Sequence, residues 1–290
     1  MAEPLYEITP RAKARRFAGD VQVRVVRAGW FRPDAGGFFG VAPKPLWSRE
    51  VETDERGRIL CRLNLLLVEA GGKRILVETG TGLGMSARDR DIKGVEGGDP
   101  VAALDAVGEN PDLIDFVVVS HLHYDHAGGM VDTDGRPAFR NARYVVQRDE
   151  VQAARSDELR QVGIMQGDHL DVVQAAGQLA EVHGDVELVE GVTVSRTGGH
   201  TRGSQAVLLG RAGAAGERGI FFGDLIPTRW QLPVRWTSAY DDYPIDAVEA
   251  RQVLVSRAAA EGWWCYFTHD RGELPIQVLA TDKGFAVRAE

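Results

Sequence analysis

The run Phe116-Val117-Val118-Val119-Ser120 passes directly into His121-Leu122-His123-Tyr124-Asp125-His126, and this junction constrains the chain more than any other stretch. A short apolar run ending in polar residues reads as a buried strand. Residues two apart in extended chain face the same side, so His121 and His123 can both reach one cation from the strand's end. Asp125 and His126 are adjacent and cannot share a face in extended chain. The backbone must therefore turn there, helped by Gly128 and Gly129, and aim the two at a neighbouring position. That arrangement suits a second metal ion. Gathering imidazoles and carboxylates in the interior without cations would carry a heavy desolvation cost.

Further ligand candidates stand at the ends of probable strands. His200 follows Thr197-Gly198-Gly199, where the glycines permit close backbone approach; Asp224 ends Ile220-Phe221-Phe222-Gly223, and His269 ends Tyr266-Phe267-Thr268. A carboxylate such as Asp224 has two oxygens and can bridge two cations, whereas a neutral imidazole offers one nitrogen. Five of the 7 histidines are thereby placed. His169 and His183 lie outside any ligand pattern and are expected as ordinary surface or hydrogen-bonded residues. Asp241-Asp242 reads as a solvated charge pair.

Around these residues the chain alternates short β runs with Gly turns and intermittent helices. Val21 to Ala28 reads as a strand, and Leu60 to Glu69 with Arg74 to Glu78 flank a Gly71-Gly72 turn as a hairpin. Further strands are expected at Asp115 to Ser120, Arg143 to Gln147, Val192 to Thr197, Gln205 to Leu209, Ile220 to Gly223 and Cys265 to Thr268. Helices are expected at Pro100 to Val107, capped by Asp99, and at Ile245 to Ala260. No repeat or long Pro/Ser linker divides the chain, so residues 1–290 are expected to form one α/β (α+β) domain of two sheets covered by helices.

Composition narrows the function. Lys and Arg number 34 against 42 Asp and Glu, a formal charge of -8, which repels phosphate backbones and anionic lipid surfaces. Neither nucleic acid nor a membrane is an expected partner. No apolar run approaches the roughly 20 residues of a bilayer span. The basic opening segment is followed by no apolar core of a secretory signal. Cys61 and Cys265 each sit in an apolar strand-like run and are expected as reduced, buried thiols, which points to the cytoplasm.

These motifs together resemble the metallo-β-lactamase fold superfamily, whose HxHxDH signature is HLHYDH here, followed by GGHTRGS, FFGD and THD. The resemblance implies a four-layer αβ/βα sandwich. It implies one metal held by His121, His123 and His200, a second by Asp125, His126 and His269, and Asp224 bridging them. Within the superfamily, FFGVAPKPLWSRE, LLLVEAGGKRILVETGTG, HLHYDHAGG and GDLIPTRWQLPVRW look most like the quorum-quenching N-acyl-homoserine lactone lactonases. The family usually shows Asp in the LVDTG position, where it supports the metal ligands; Glu78 stands there, its carboxylate one methylene further out. Such lactonases also carry, three residues after the bridging Asp, a Tyr that helps polarise the substrate carbonyl, and here that residue is Pro227.

The implied function is a dinuclear hydrolase that opens a lactone or related ester by attack of a metal-bound hydroxide, the ions standing about 3.5–4 Å apart. Zn suits the N/O ligand set, with Fe, Mn or Co as alternatives. Asp125 is the expected proton shuttle to the leaving group. Tyr124 and Tyr240 are candidate replacements for the missing Tyr, against packing or exposure as the default. Trp230, with Trp30, Phe31, Phe38, Phe39, Trp47 and Trp236, lines an acyl pocket or packs in the core. The partner is a small-molecule ester or lactone, and a homodimer follows only by analogy. Phosphotriesterase or thioester (glyoxalase-II-like) hydrolysis would use the same centre, though the latter expects a basic site that no stretch of sequence displays. A non-catalytic binding protein that kept the fold is the rival of another class.

Overall fold

A computed structural model describes residues 4–156 and 164–288. The hairpin at its centre forms as the sequence suggests: Cys61–Ala70 pairs antiparallel with Lys73–Val77, and Ala70 faces Lys73 across a two-residue turn. Gly71 and Gly72 both take positive φ, 56° and 71°, the backbone that such a tight hairpin requires and that glycine adopts without strain. The strand's unbroken apolar run has a simple cause. Leu63, Leu65 and Leu67 pack into a core beneath helices, while Leu66, Val68 and Ala70 pack into a second core facing another sheet. A strand covered on both faces does not need polar alternation.

The first sheet runs Glu7–Ile8, Val21–Phe31, Cys61–Ala70, Lys73–Val77, Phe116–Val118, Arg143–Gln147 and Leu179–Val182. Its first half is antiparallel; from Lys73–Val77 onward the pairings are parallel. The second sheet runs Val186–Val189, Val192–Arg196, Gln205–Leu209, Gly219–Phe221, Trp264–Tyr266, Ile276–Thr281 and Gly284–Val287. Its parallel pairing joins Gly219–Phe221 to Trp264–Tyr266, across the crossover helix Pro244–Glu261.

Three apolar clusters define the layers. One lies between the sheets and includes Val23, Leu66, Val118, Val207 and Phe221. Another fills the outer face of the first sheet under short helices such as Pro100–Ala106, and the third seats the helix Pro244–Glu261 on the second sheet. The result is the helix–sheet–sheet–helix sandwich expected. Cys61 and Cys265 are buried free thiols. Among the described residues, no helix is long and apolar enough to cross a membrane.

Candidate metal centre

Every ligand candidate projects from the end of a strand at one rim of the sandwich. Phe116–Val118 delivers His121 and His123, and the turn expected after them is a short helix, Tyr124–Ala127, that begins at His123 and carries Asp125 and His126 on its first turn. The second sheet supplies the rest: His200 stands between Val192–Arg196 and Gln205–Leu209, Asp224 follows Gly219–Phe221, and His269 follows Trp264–Tyr266. Gly199 is required where it stands, because its φ is +88° and a Cβ there would lie 2.6 Å from Ala247 Cα. Backbone bonds sew the sheets together at this rim: Arg62 N donates to His269 O at 3.2 Å and Asn64 N to Thr268 O at 2.9 Å.

The side chains converge as two groups, His121 with His123 and His200, and Asp125 with His126, Asp224 and His269; within each group the ligand atoms lie within 4.8 Å of one another. Asp224 reaches across both. Its Oδ2 is 3.7 Å from His200 Nε2 and 3.4 Å from His126 Nε2, and its Oδ1 is 3.2 Å from His269 Nε2. Asp125 Oδ2 lies 3.4 Å from His269 Nε2 and 3.7 Å from His126 Nε2.

These groups fit cations better than they fit one another. His121 Nε2, His126 Nε2, His269 Nε2 and Asp224 Oδ1 are buried and lack a hydrogen-bond partner, a state that native interiors rarely tolerate. His123 Nδ1 faces His200 Nε2 at 3.1 Å. Meanwhile the opposite ring nitrogens are anchored, which aims the free ones inward: His121 Nδ1 meets Ser120 Oγ at 2.9 Å, His269 Nδ1 meets Arg62 O at 3.0 Å, and His200 Nδ1 meets Asp241 Oδ1 at 2.9 Å. Such outer partners fix tautomer and ring direction in metal sites, and a nitrogen/carboxylate set suits Zn.

The electrostatics set His121 and His123 apart from the other imidazoles, His200 included, which Asp241 and Asp224 raise above its ordinary value against the opposing effect of burial. Burial, reinforced by neighbouring imidazoles, holds His121 well below the usual histidine range and His123 at about 3, so both present lone pairs. In the other group burial also disfavours the charged imidazole, but Asp224 and Asp125 outweigh it, raising His126 well above its ordinary value and His269 to about 9. Burial opposes ionisation of the two carboxylates as well, and the adjacent histidines overcome it, holding Asp125 at about 2 and Asp224 well below its ordinary range.

Supporting residues include ones that sequence reasoning missed. Glu150 is fully buried and ties the two ligand loops together: its carboxylate accepts from Leu122 N at 2.9 Å, Gly203 N at 2.9 Å and Thr201 Oγ1 at 2.7 Å. Burial raises its pKa, against the pull of those donors. Glu78, despite its extra methylene, reaches Ser120 N at 3.3 Å and comes within 3.4 Å of His126 Nδ1. It does so from a left-handed backbone, φ 70°, a conformation costly for a residue with a side chain and often tolerated at functional sites.

One expectation needs correction. Asp241 is not part of a solvated pair: it is 3% exposed, and Arg251 NH2 holds its Oδ2 at 3.0 Å, supplying the buried countercharge that makes burial affordable. Of the two readings of Trp230, packing is the one with a contact to show: its ring lies 6.4 Å from that of Phe39, and it is not among the residues lining the cavity over the centre. Among the other aromatics, Phe31 and Phe38 line that cavity, with Phe31 meeting His269 edge-on at 4.6 Å, while Phe39 stacks on Trp47 in the core. Tyr124 and Tyr240 both line it; burial pushes Tyr240 up to about 12, so its hydroxyl keeps a proton to donate. Pro227 occupies the position of the expected Tyr and accepts from His269 N at 2.9 Å. His169 meets Ala127 O at 3.2 Å, outside the cluster.

The cavity has a volume of about 500 Å³, and Asp125, Asp224, His123, His200 and His269 form part of its wall. A larger groove of about 630 Å³ beside residues 7–16 contains none of the ligand candidates.

Known proteins agree with this architecture. An N-acyl homoserine lactonase of a Bacillus species is 36% identical over 110 residues, and one from Bacillus cereus 33% over the same length. The matched stretch spans only 38% of this chain and 38% of each relative. A probable metal-dependent hydrolase from Staphylococcus aureus superposes with a TM-score of 0.82 at 26% identity, covering 95% of this chain and 99% of that one. AidC, a dizinc quorum-quenching lactonase solved with an N-hexanoyl-L-homoserine product, superposes at 0.81 over 99% of both chains; at 17% identity it speaks for the fold alone. Residues 59–269 match the family model of the metallo-beta-lactamase superfamily, and the chain belongs to that superfamily.

Proposed function

We propose that residues 1–290 form one catalytic unit, a dinuclear metal-dependent hydrolase that opens a lactone of the N-acyl-homoserine type or a related ester. One observation carries this reading: the Asp224 carboxylate stands within 3.7 Å of His200 in one group and within 3.4 Å of His126 in the other. His121, His123 and His200 would hold one ion, and Asp125, His126 and His269 the other, with Asp224 shared. Divalent cations held there, Zn by preference, would supply Lewis acidity and would lower the pKa of bound water toward 7.

The chain's own groups do the remainder. Asp125 Oδ2 faces the histidines, leaving Oδ1 to take a proton from the attacking water and pass it to the departing alkoxide. The Tyr240 and Tyr124 hydroxyls are the donors available to the substrate in place of a Tyr at Pro227. Phe31 and Phe38 offer the apolar wall along which an acyl chain lies and from which water is excluded. The names of the Bacillus relatives support the lactone class.

The test is a panel of homoserine lactones, simple esters, thioesters and a phosphotriester, assayed on protein of measured metal content before and after chelation. Lactone turnover that stops on chelation and returns with metal is expected. Rapid turnover of another ester with lactones untouched would remove the lactone assignment. Full activity in His121→Ala or Asp224→Ala would remove the metal centre itself.

A further inference from the structure

The wall of the catalytic cavity gathers four cations that no single stretch of sequence places together, Arg32, Arg56, Arg58 and Lys93, beside the carboxylates of Asp34, Asp125, Asp224 and Asp242. The arginines are already committed. Arg32 pairs with Glu96 at 2.8 Å, Arg56 with Asp91 at 3.3 Å and Arg58 with Asp54 at 2.8 Å. Lys93 differs. Among the described residues it has no carboxylate partner, and its Nζ lies over the Tyr124 ring, 3.6 Å from the centroid.

Lys93 closes the helix Ala87–Lys93, with Gly94 as a left-handed cap. A cation at a helix C-terminus is favourable, which explains its charge but not its place in the cavity. The ring face supplies electrostatic support and no acceptor, so the three N–H donors of the ammonium are left for something else. Burial lowers its pKa, with Asp125 and Asp89 opposing, as for an ammonium short of countercharge. Tyr124 lies between His123 and Asp125 in the chain, so an anion held by Lys93 sits close to the carbonyl to be attacked.

We infer that Lys93 is a substrate-binding cation, and that the cavity selects esters, lactones or thioesters carrying a carboxylate over neutral ones of equal size. This rests on the hydrolase reading above and narrows its substrate class. A charge-assisted hydrogen bond is roughly twice as strong as a neutral one, so the discrimination falls on the charge and not on the acyl length. It also supplies one cation toward the basic site that thioester hydrolysis calls for.

The test compares 4-nitrophenyl hexanoate with the mono-4-nitrophenyl ester of adipic acid on the metal-loaded protein, with spontaneous hydrolysis subtracted. The adipate ester is expected to show kcat/KM about tenfold higher, carried by KM and weakening as salt rises. Lys93→Met, which keeps the stem over Tyr124, should erase the preference, and Lys93→Arg should retain most of it. Equal kcat/KM for the two esters in the wild type, or a preference that survives in Lys93→Met, overturns the inference. Should Lys93→Met not fold, the salt dependence decides: a KM for the adipate ester as flat with salt as that for the hexanoate overturns it. If neither these esters nor any member of the lactone, thioester and phosphotriester panel is turned over, the hydrolase reading fails. Calorimetric binding of monomethyl adipate against methyl hexanoate, in wild type and Lys93→Arg or Lys93→Met, then still decides between charge selection and none.

Discussion

Asp241 and His200 share a hydrogen bond of 2.9 Å in the protein interior, and Arg251 holds the second oxygen of the same carboxylate at 3.0 Å. Arg251 is itself pinned, donating from NH1 to Trp236 O at 2.8 Å. The long helix Pro244–Glu261 thus fixes, through Arg251 and Asp241, the direction of the His200 imidazole. Removing the charge of Asp241 frees the His200 ring. Asp241→Asn is expected to weaken metal binding by about 10–100-fold, read by competition with a chromogenic chelator. An unchanged affinity would show that the ring is held by other contacts.

Glu150 works on the backbone that carries the ligands. With its carboxylate gone, Leu122 N, Gly203 N and Thr201 Oγ1 lose an acceptor in a fully buried place. Glu150→Ala is expected to destabilise the metal-free protein by about 2–4 kcal/mol. Glu150→Gln, which retains an acceptor oxygen, should cost less. Urea denaturation of both variants tests the order; equal losses would contradict it.

A second buried carboxylate gives stability a pH dependence. Burial alone would raise the pKa of Glu109, but hydrogen bonds from Arg24 and Arg74 win and hold it below its ordinary 4.5; Arg24 NH1 lies 2.7 Å away. A depressed folded-state value means that the contribution is complete above 4.5 and is lost as pH falls through the folded value. Glu109→Gln should therefore be less stable than wild type at pH 7, with the gap closing on acidification. Melting curves from neutral to acid pH measure it, and a gap that widens toward acid would refute the assignment.

Metal uptake should release protons. His269 in the metal-free protein is raised to about 9 by the nearby Asp224 and Asp125, against the opposing effect of burial. A cation must displace that proton. Apparent affinity is expected to rise with pH through neutrality, because His269 and His126 both hold their protons there. Calorimetric titration at pH 7 in two buffers of unequal ionisation enthalpy should report net release; a heat independent of buffer would rule it out.

The ligand residues are legible in the sequence because strand ends impose short, regular spacings on them. His121 and His123 need only a two-residue period, and Asp224 and His269 each stop an apolar run. The Gly71-Gly72 hairpin is legible for the same local reason. What escapes is what depends on distant partners. Asp241 reads as solvated because its countercharge, Arg251, meets it only once the helix docks. Glu150 sits in an unremarkable polar stretch of sequence, and its task is defined by amides 28 and 53 residues away. The last two strands of the second sheet, Ile276–Thr281 and Gly284–Val287, with Thr281, Asp282 and Lys283 around their turn, have too little apolar periodicity to stand out. Trp230 shows the converse: an aromatic near a ligand motif can serve packing alone.

The division of ligands between the two sheets has a mechanical consequence. Because His121, His123, Asp125 and His126 come from one leaf and His200, Asp224 and His269 from the other, the ion pocket behaves as a clasp on the seam. A partly unfolded molecule with its leaves ajar keeps only fragments of the grip, so an ion that binds the closed form selectively resists that opening in proportion to the logarithm of its free concentration. Scavenging trace metal should then hasten hydrogen exchange first along this rim, before the distant hairpin turn yields.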